Sequence, residues 1–139
     1  MPSSTILYAE TNPVHQTTTS AAFVDITGLT LTLPPLSANE KQALVILDVP
    51  NPYAIGTNFP GANFRLKINN VVVPTLPIAC FTYFVQNLPG SSGRMPTTLV
   101  ARIWLTRKVP TIVQATWQSV RNSTVIVDTP CTLSAVLGV

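Results

Sequence analysis

Arg94 is the residue whose setting in this sequence most needs a chemical explanation, because it lies in a loop of small residues. The loop Gly90-Ser-Ser-Gly93 precedes it, and an apolar, aromatic run at residues 80–85 precedes the loop. Charged residues make up only 9% of the chain, so an isolated arginine at this place indicates a specific partner. A polar ligand and a contact between subunits are the two explanations that the sequence leaves open.

Six residues in or beside loops have side chains suited to a neutral polar ligand: Thr82, Tyr83, Ser91, Ser92, Arg94 and Arg121. The planar fork of N–H donors of arginine can bridge two vicinal hydroxyls of a sugar. Serine and threonine hydroxyls both donate and accept, and tyrosine combines an apolar face with a polar tip. A structural interpretation stays open, with Tyr83 in the core and Arg121 as an ordinary charge at a strand end.

The sequence has no pattern typical of an enzyme or a metal centre. Its carboxylates are dispersed, without the pairing used in glycoside hydrolysis; they are Glu10, Asp25, Glu40, Asp48 and Asp128. The one histidine, His15, lies alone in a polar N-terminal stretch, which gives a Ser-His-Asp triad little support. The potential metal ligands are also few and dispersed. We therefore expect no catalysis, no metal and no other cofactor.

Charge and hydropathy argue against nucleic-acid and membrane partners. The formal charge of +3 comes from 8 Lys and Arg against 5 Asp and Glu, and the basic residues are scattered rather than clustered. The longest apolar runs, such as residues 43–47, are far shorter than the roughly 20 residues of a membrane-spanning helix. The N-terminus lacks the features of a Sec signal peptide. We expect a secreted or cell-surface protein that uses another route, with cytoplasmic accumulation as the alternative.

The elements that must position these residues are predicted to be β-strands. Strands are expected at residues 5–9, 21–26, 29–33, 43–49, 62–68, 71–73, 78–85, 97–106, 111–118, 124–128 and 132–139. Turns are expected at Thr27-Gly28, 69–70 and 107–110, and loops at 36–42 and 119–123. Short strands at spacings of about 8–12 residues are typical of a sandwich or barrel. The 13 prolines fall mostly in turns, which favours an all-β jelly roll.

One domain is expected over residues 1–139, with residues 1–20 its least certain segment. A monomer with so few charges would expose much uncharged surface, so the composition favours an oligomer. Cys80 and Cys131 both lie in apolar, strand-like runs. The sequence leaves open whether they are free thiols or a disulfide.

Several long blocks resemble the N-terminal, TNF-like fucose-binding domain of a Burkholderia two-domain superlectin. They include Val-Ile-Leu-Asp-Val-Pro-Asn-Pro-Tyr-Ala at 45–54, Cys-Phe-Thr-Tyr at 80–83, Ser-Gly-Arg-Met-Pro at 92–96 and Trp-Gln-Ser-Val-Arg at 117–121. The resemblance extends from about Leu44 to Gly138, whereas the first 43 residues match only loosely.

This resemblance implies a homotrimeric, TNF-like jelly-roll β-sandwich that binds fucosylated glycans between subunits without a metal. The implied contacts are Thr82, Tyr83, Ser91, Ser92, Arg94 and Arg121, with Tyr53 and Asp128 around the pocket. A tyrosine of the family aligns with Asn63, so a smaller amide replaces an aromatic wall. Fucose affinity, or tolerance of neighbouring sugars, is expected to differ accordingly.

We therefore expect a bacterial, non-catalytic lectin that recognises fucosylated oligosaccharides or glycoconjugates, such as host glycans. The alternative is a structural jelly-roll protein, such as a capsid, fibre or coat module. A TNF-like ligand for a protein receptor is a third hypothesis. Low charge and an apolar oligomeric surface suit all three, so sugar binding is the property that separates them.

Overall fold

The computed structural model describes residues 4–84 and 93–138. Twelve strands lie within these residues: β1 (Thr5–Glu10), β2 (Gln16–Thr18), β3 (Val24–Leu33), β4 (Gln42–Val49), β5 (Tyr53–Ile55), β6 (Gly61–Ile68), β7 (Val71–Val72), β8 (Ala79–Thr82), β9 (Thr97–Trp104), β10 (Thr111–Val120), β11 (Thr124–Val127) and β12 (Thr132–Gly138). No helix long and apolar enough to cross a membrane is found in this part of the chain.

The strands form three antiparallel sheets. One has four strands in the order β1-β12-β4-β9, and a second has the order β3-β10-β6-β7 with β8 also paired to β6. The third is small, with the order β2-β11-β5. The all-β class predicted from the sequence is confirmed, and the arrangement is consistent with a β-sandwich.

The core is built from the inward faces of strands that alternate apolar and polar residues. On β10, the predicted inward residues Val113, Ala115 and Trp117 are all buried, and β6 contributes Phe64 and Leu66 beside them. Because successive side chains of a strand point to opposite faces, the residues between them point to the outer face, where Gln114 is half-buried and Thr116 is covered. The same alternation that buries the core therefore presents polar side chains of β6 and β10 on the outer face.

Several strand ends differ from the prediction by a few residues, and two differences change where the chain turns. Thr27-Gly28 is not a turn between two strands, because β3 runs through it as a single strand. Gly28 has a φ of 93°, and the pairing of β3 with β10 shifts register between Gln114 and Thr116. These features describe a bulge, which glycine accommodates at no steric cost.

The second difference concerns the end of β10. Ser119 and Val120 were predicted to lie in a loop, but β10 continues to Val120. The chain turns instead at Arg121 and Asn122, whose φ angles are 51° and 56°. The short strands β2 and β5 were not predicted, because three residues carry too little periodicity.

Cys80 and Cys131 are free thiols, the first exposed and the second buried.

Replacing Gly28 with alanine should destabilise the fold. A Cβ at this position would lie 2.5 Å from the carbonyl oxygen of Glu10 and 2.6 Å from the amide nitrogen of Asn12. Both are backbone atoms, so the free energy of unfolding should fall by about 1–3 kcal/mol, measured by urea denaturation. Gly138→Ala is the matched control, since its Cβ would meet nothing within 4 Å. Equal stabilities of the two variants would contradict this account of the bulge.

Candidate functional site

The predicted site residues that the structure describes fall into two groups. The Arg94 cluster consists of Asn51, Tyr53, Tyr83, Arg94 and Asp128. The Arg121 cluster consists of Asn58, Phe59, Thr82 and Arg121, with Asn63 beside it on β6. Ser91 and Ser92 lie outside the described residues. The two clusters meet in sequence at the neighbouring residues Thr82 and Tyr83, where β8 ends.

The guanidinium of Arg94 is held in one orientation by three groups. Nη1 and Nη2 donate to the two carboxylate oxygens of Asp128 at 2.6 and 2.9 Å. Nη1 also donates to the carbonyl oxygen of Asn51 at 3.1 Å. The ring of Tyr53 lies against the guanidinium, with 4.5 Å between Cζ and the ring centroid. Asp128 and Tyr53, predicted to surround the pocket, therefore position this arginine directly.

These contacts leave one edge of the Arg94 guanidinium available. Arginine has five N–H donors, and the three hydrogen bonds use both hydrogens of Nη1 and one of Nη2. Among the described residues, Nε–H and the second Nη2 hydrogen have no partner. Both belong to the same side of the planar group, so they form a parallel pair of donors. Such a pair suits two neighbouring hydroxyl oxygens.

The Arg94–Asp128 pair has electrostatic consequences for both groups. The hydrogen bonds from Arg94 lower the pKa of Asp128 from its ordinary value of 3.8, and Asp128 in turn raises the pKa of Arg94. Both side chains are partly exposed, and pairs of this kind contribute little to stability because water screens them. The pair therefore acts mainly to position Arg94.

Tyr83 is a core residue whose hydroxyl has no hydrogen-bond partner within residues 4–84 and 93–138. Its side chain is 7% exposed and its ring packs edge-on against Phe81, with 5.5 Å between the ring centroids. Burial raises the pKa of the Tyr83 phenol, and the charge of Arg94 opposes that increase. The hydroxyl oxygen has no hydrogen-bond partner in the described part of the chain. Buried hydroxyls are nearly always paired, so this atom needs a partner from elsewhere.

Arg121 occupies the turn after β10 and crosses the sheet to reach β8. Its Nε donates to the carbonyl oxygens of Asn58 at 3.2 Å and Phe59 at 2.7 Å. Its Nη2 donates to Thr82 Oγ1 at 3.1 Å. Thr82 accepts this hydrogen bond, and its own hydroxyl hydrogen has no acceptor among the described residues. Arg121 is thus more than a charge at a strand end, and its position is fixed by three oxygens.

Gly61 makes this crossing possible. In the register of the sheet it lies between Val120 on β10 and Thr82 on β8. A Cβ on Gly61 would overlap the carbonyl oxygen of Phe81 and would lie 3.0 Å from Thr82 Oγ1. Only glycine leaves this space between the strands open. No sequence pattern indicated this role, because it depends on the pairing of three strands, β6, β8 and β10.

Asn63 is held by a neighbour that the sequence did not identify. Its Nδ2 donates to Gln118 Oε1 at 2.9 Å, and Gln118 Nε2 donates to the carbonyl oxygen of Ala21 at 2.6 Å. The predicted inward position of Trp117 already implied that Gln118 points outward. Its contact with Asn63 depends on the register of β6 and β10, which the sequence pattern did not provide. In residues 4–84 and 93–138, no three His, Cys, Asp or Glu side chains come together as metal ligands.

Comparison with known proteins gives one family match. A family model described as "Bc2l-C, N-terminal domain" matches residues 11–136, a range that includes both clusters and the two serines at 91 and 92. No curated protein matches the chain. The resemblance noted in the sequence is therefore confirmed.

The coupling between Arg94 and Asp128 can be tested by titration. The Asp128 carboxyl should titrate below 3.8, its ordinary value, when followed by ¹³C NMR. The pair should therefore stabilise the fold above that pH, and this stabilisation should disappear as the pH falls through the lowered pKa. Arg94→Ala should move the Asp128 midpoint upward. Arg107→Ala, in an exposed turn, is the control; an equal midpoint in both variants would refute the coupling.

Proposed function

Because the chain belongs to the Bc2l-C N-terminal domain family, which is a family of lectin domains, we propose that it is a lectin without catalytic activity that binds fucosylated glycans. The observation that best supports this proposal is the Arg94 guanidinium, which Asp128 and Tyr53 hold while one of its edges has no partner among the described residues. Fucose offers vicinal hydroxyls, whose oxygens match a parallel pair of N–H donors. Its methyl group and C–H faces suit an apolar or aromatic surface.

The remaining groups complete a hydrogen-bonding set for a sugar. Thr82 offers a hydroxyl hydrogen, and Arg121 offers Nη1, which has no partner among the described residues. A sugar hydroxyl would pair with the buried hydroxyl of Tyr83, for which the described part of the chain supplies no partner. Ser91 and Ser92 add hydroxyls from the loop, on the strength of the family resemblance.

We also propose that the protein is a homotrimer of TNF-like jelly rolls. In both larger sheets, neighbouring strands are distant in sequence, as the orders β1-β12-β4 and β3-β10-β6 show. The jelly-roll topology produces neighbours of this kind. The outer face of the four-stranded sheet supports an assembly, because Ile6, Tyr8 and Trp104 are 66%, 59% and 60% exposed. Ile6, Val136 and Leu44 follow one another across that face. Contiguous exposed apolar surface of this kind is typical of interfaces.

Each sugar site would lie between two subunits, with the Arg94 cluster from one and the Arg121 cluster from its neighbour. The two arginines use different partners within the chain, which suits a site assembled from two halves. A trimer would then carry three equivalent sites, and simultaneous binding to a glycosylated surface would strengthen weak individual contacts. Such a lectin would act on glycans outside the cell, as a secreted or surface-bound protein.

Titration with methyl α-L-fucoside by calorimetry tests the sugar site. Arg94→Ala and Arg121→Ala should each weaken binding about tenfold to a hundredfold, since each removes hydrogen bonds from a charged donor. Arg107→Ala should bind like the wild type. Equal binding by all four proteins would refute the site, and no binding by the wild type would refute the function.

Light scattering combined with a glycan array tests the alternative of a structural protein. A lectin of this kind should be a closed trimer that retains fucosylated glycans saturably. Assembly beyond a trimer without saturable binding to any glycan would favour a capsid, fibre or coat module instead.

A further inference from the structure

A chain of two side-chain amides lies on the outer face of the five-stranded sheet, next to Thr82. Asn63 Nδ2 donates to Gln118 Oε1 at 2.9 Å, and Gln118 Nε2 donates to the Ala21 carbonyl oxygen at 2.6 Å. Both side chains are half-buried, so they are shielded yet reachable from outside. Neither belongs to the core.

The backbone at Ala21 determines the orientation of both amides. A carbonyl oxygen only accepts, so Gln118 must turn its NH₂ group to Ala21 and its oxygen to Asn63. Asn63 must then turn its own NH₂ group towards Gln118. The Asn63 Oδ1 atom consequently points away from β10, and a flip of either amide would place two like groups against each other. Oδ1 is therefore an acceptor with a fixed direction.

The sheet register places this acceptor beside the Arg121 cluster. Asn63 pairs with Cys80, and Gly61 pairs with Thr82, on adjacent strands. Cys80 and Thr82 are two residues apart, so both share the outer face with Asn63. Diagonal neighbours of this kind are separated by roughly 7–8 Å, a distance that one monosaccharide can bridge.

The neighbouring charged groups supply donors. Arg94 and Arg121 have only N–H groups, and the Asp128 carboxylate is already held by Arg94. Thr82 Oγ1 already accepts from Arg121. The free N–H groups of the two arginines therefore require acceptor oxygens on the ligand. Asn63 Oδ1 adds a requirement for a donor on the ligand.

We propose that Asn63 is a specificity-determining residue whose Oδ1 accepts a hydrogen bond from a saccharide donor, either a hydroxyl or an acetamido N–H. Gln118 is the positioning residue that holds this oxygen towards the ligand. The inference rests on the proposed lectin function and deepens it by stating which ligands the site rejects. Saccharides that carry only an acceptor at this place, such as O-methyl derivatives, bind more weakly because the carbonyl oxygen is left unpaired.

The test compares the pattern of ligand preference between variants. Probes are methyl α-L-fucoside, its monodeoxy and mono-O-methyl derivatives, and fucosyl disaccharides with or without an acetamido group on the adjacent sugar. In the wild type, loss of one donor should weaken binding about tenfold. In Asn63→Ala that penalty should vanish, and in Gln118→Ala it should shrink. Asn63→Asp keeps an acceptor and should keep the penalty. A penalty with a deoxy or O-methyl fucoside identifies a hydroxyl of fucose as the donor. A penalty with the disaccharide that lacks the acetamido group identifies the N–H of the adjacent sugar.

Gln114→Ala is the matched control, because Gln114 is a glutamine on the same strand that bonds instead to Asp25 and Thr30. It should show the full wild-type pattern. Circular dichroism verifies that each variant is folded. If Asn63→Ala keeps every wild-type preference while Arg121→Ala loses fucoside binding, this inference is wrong and the lectin function stands. If the wild type binds no fucoside, both are wrong.

Discussion

The antiparallel register of β10, β6 and β8 is the constraint on which both the core and the site depend. It pairs Trp117 with Phe64 on the inner face and Gln118 with Asn63 on the outer face. It also places Gly61 between Val120 and Thr82. Because side chains alternate with a period of two, a slip by one residue would exchange the two faces. Burial of Trp117 and Phe64 therefore also keeps Arg121 within reach of Thr82.

A chain with few charges uses them mainly to hold side chains in place. Arg94 is fixed by Asp128 and by the ring of Tyr53, and Arg121 is fixed by backbone oxygens and Thr82. Exposed ion pairs contribute little to stability, so the selective value of these contacts lies in orientation. In the proposed lectin, a sugar would bind without first ordering two long side chains, which would cost conformational entropy.

The alternation of residues along a strand and the residue types in a turn predicted those features of the fold that depend on neighbouring residues in the chain. The inward residues of β10 and the turn at Asn69-Asn70, with φ angles of 47° and 68°, follow from alternation and from the tolerance of asparagine for positive φ. The bulge at Gly28 did not follow, because it reflects the close approach of the backbone at Glu10–Asn12, where β1 ends.

The site shows the same division between local and tertiary information. Residue chemistry indicated Arg94 and Arg121, and the family resemblance added Asp128 and Tyr53. The structure brings Arg94, Asp128 and Tyr53 into direct contact. The roles of Gly61 and Gln118 depend on neighbouring strands and had no signal in the sequence. Ser91 and Ser92 lie outside the described residues, so their place in the site stays a prediction.

The central claim is that a fucose site combines the Arg94 cluster of one subunit with the Arg121 cluster of its neighbour. The most direct test is co-expression of Arg94→Ala and Arg121→Ala chains with different tags, followed by isolation of mixed trimers and fucoside titration. Each mixed trimer should regain a single intact site, formed where an Arg121→Ala chain supplies Arg94 and its neighbour supplies Arg121. Mixed trimers that bind no better than either variant alone would contradict the claim.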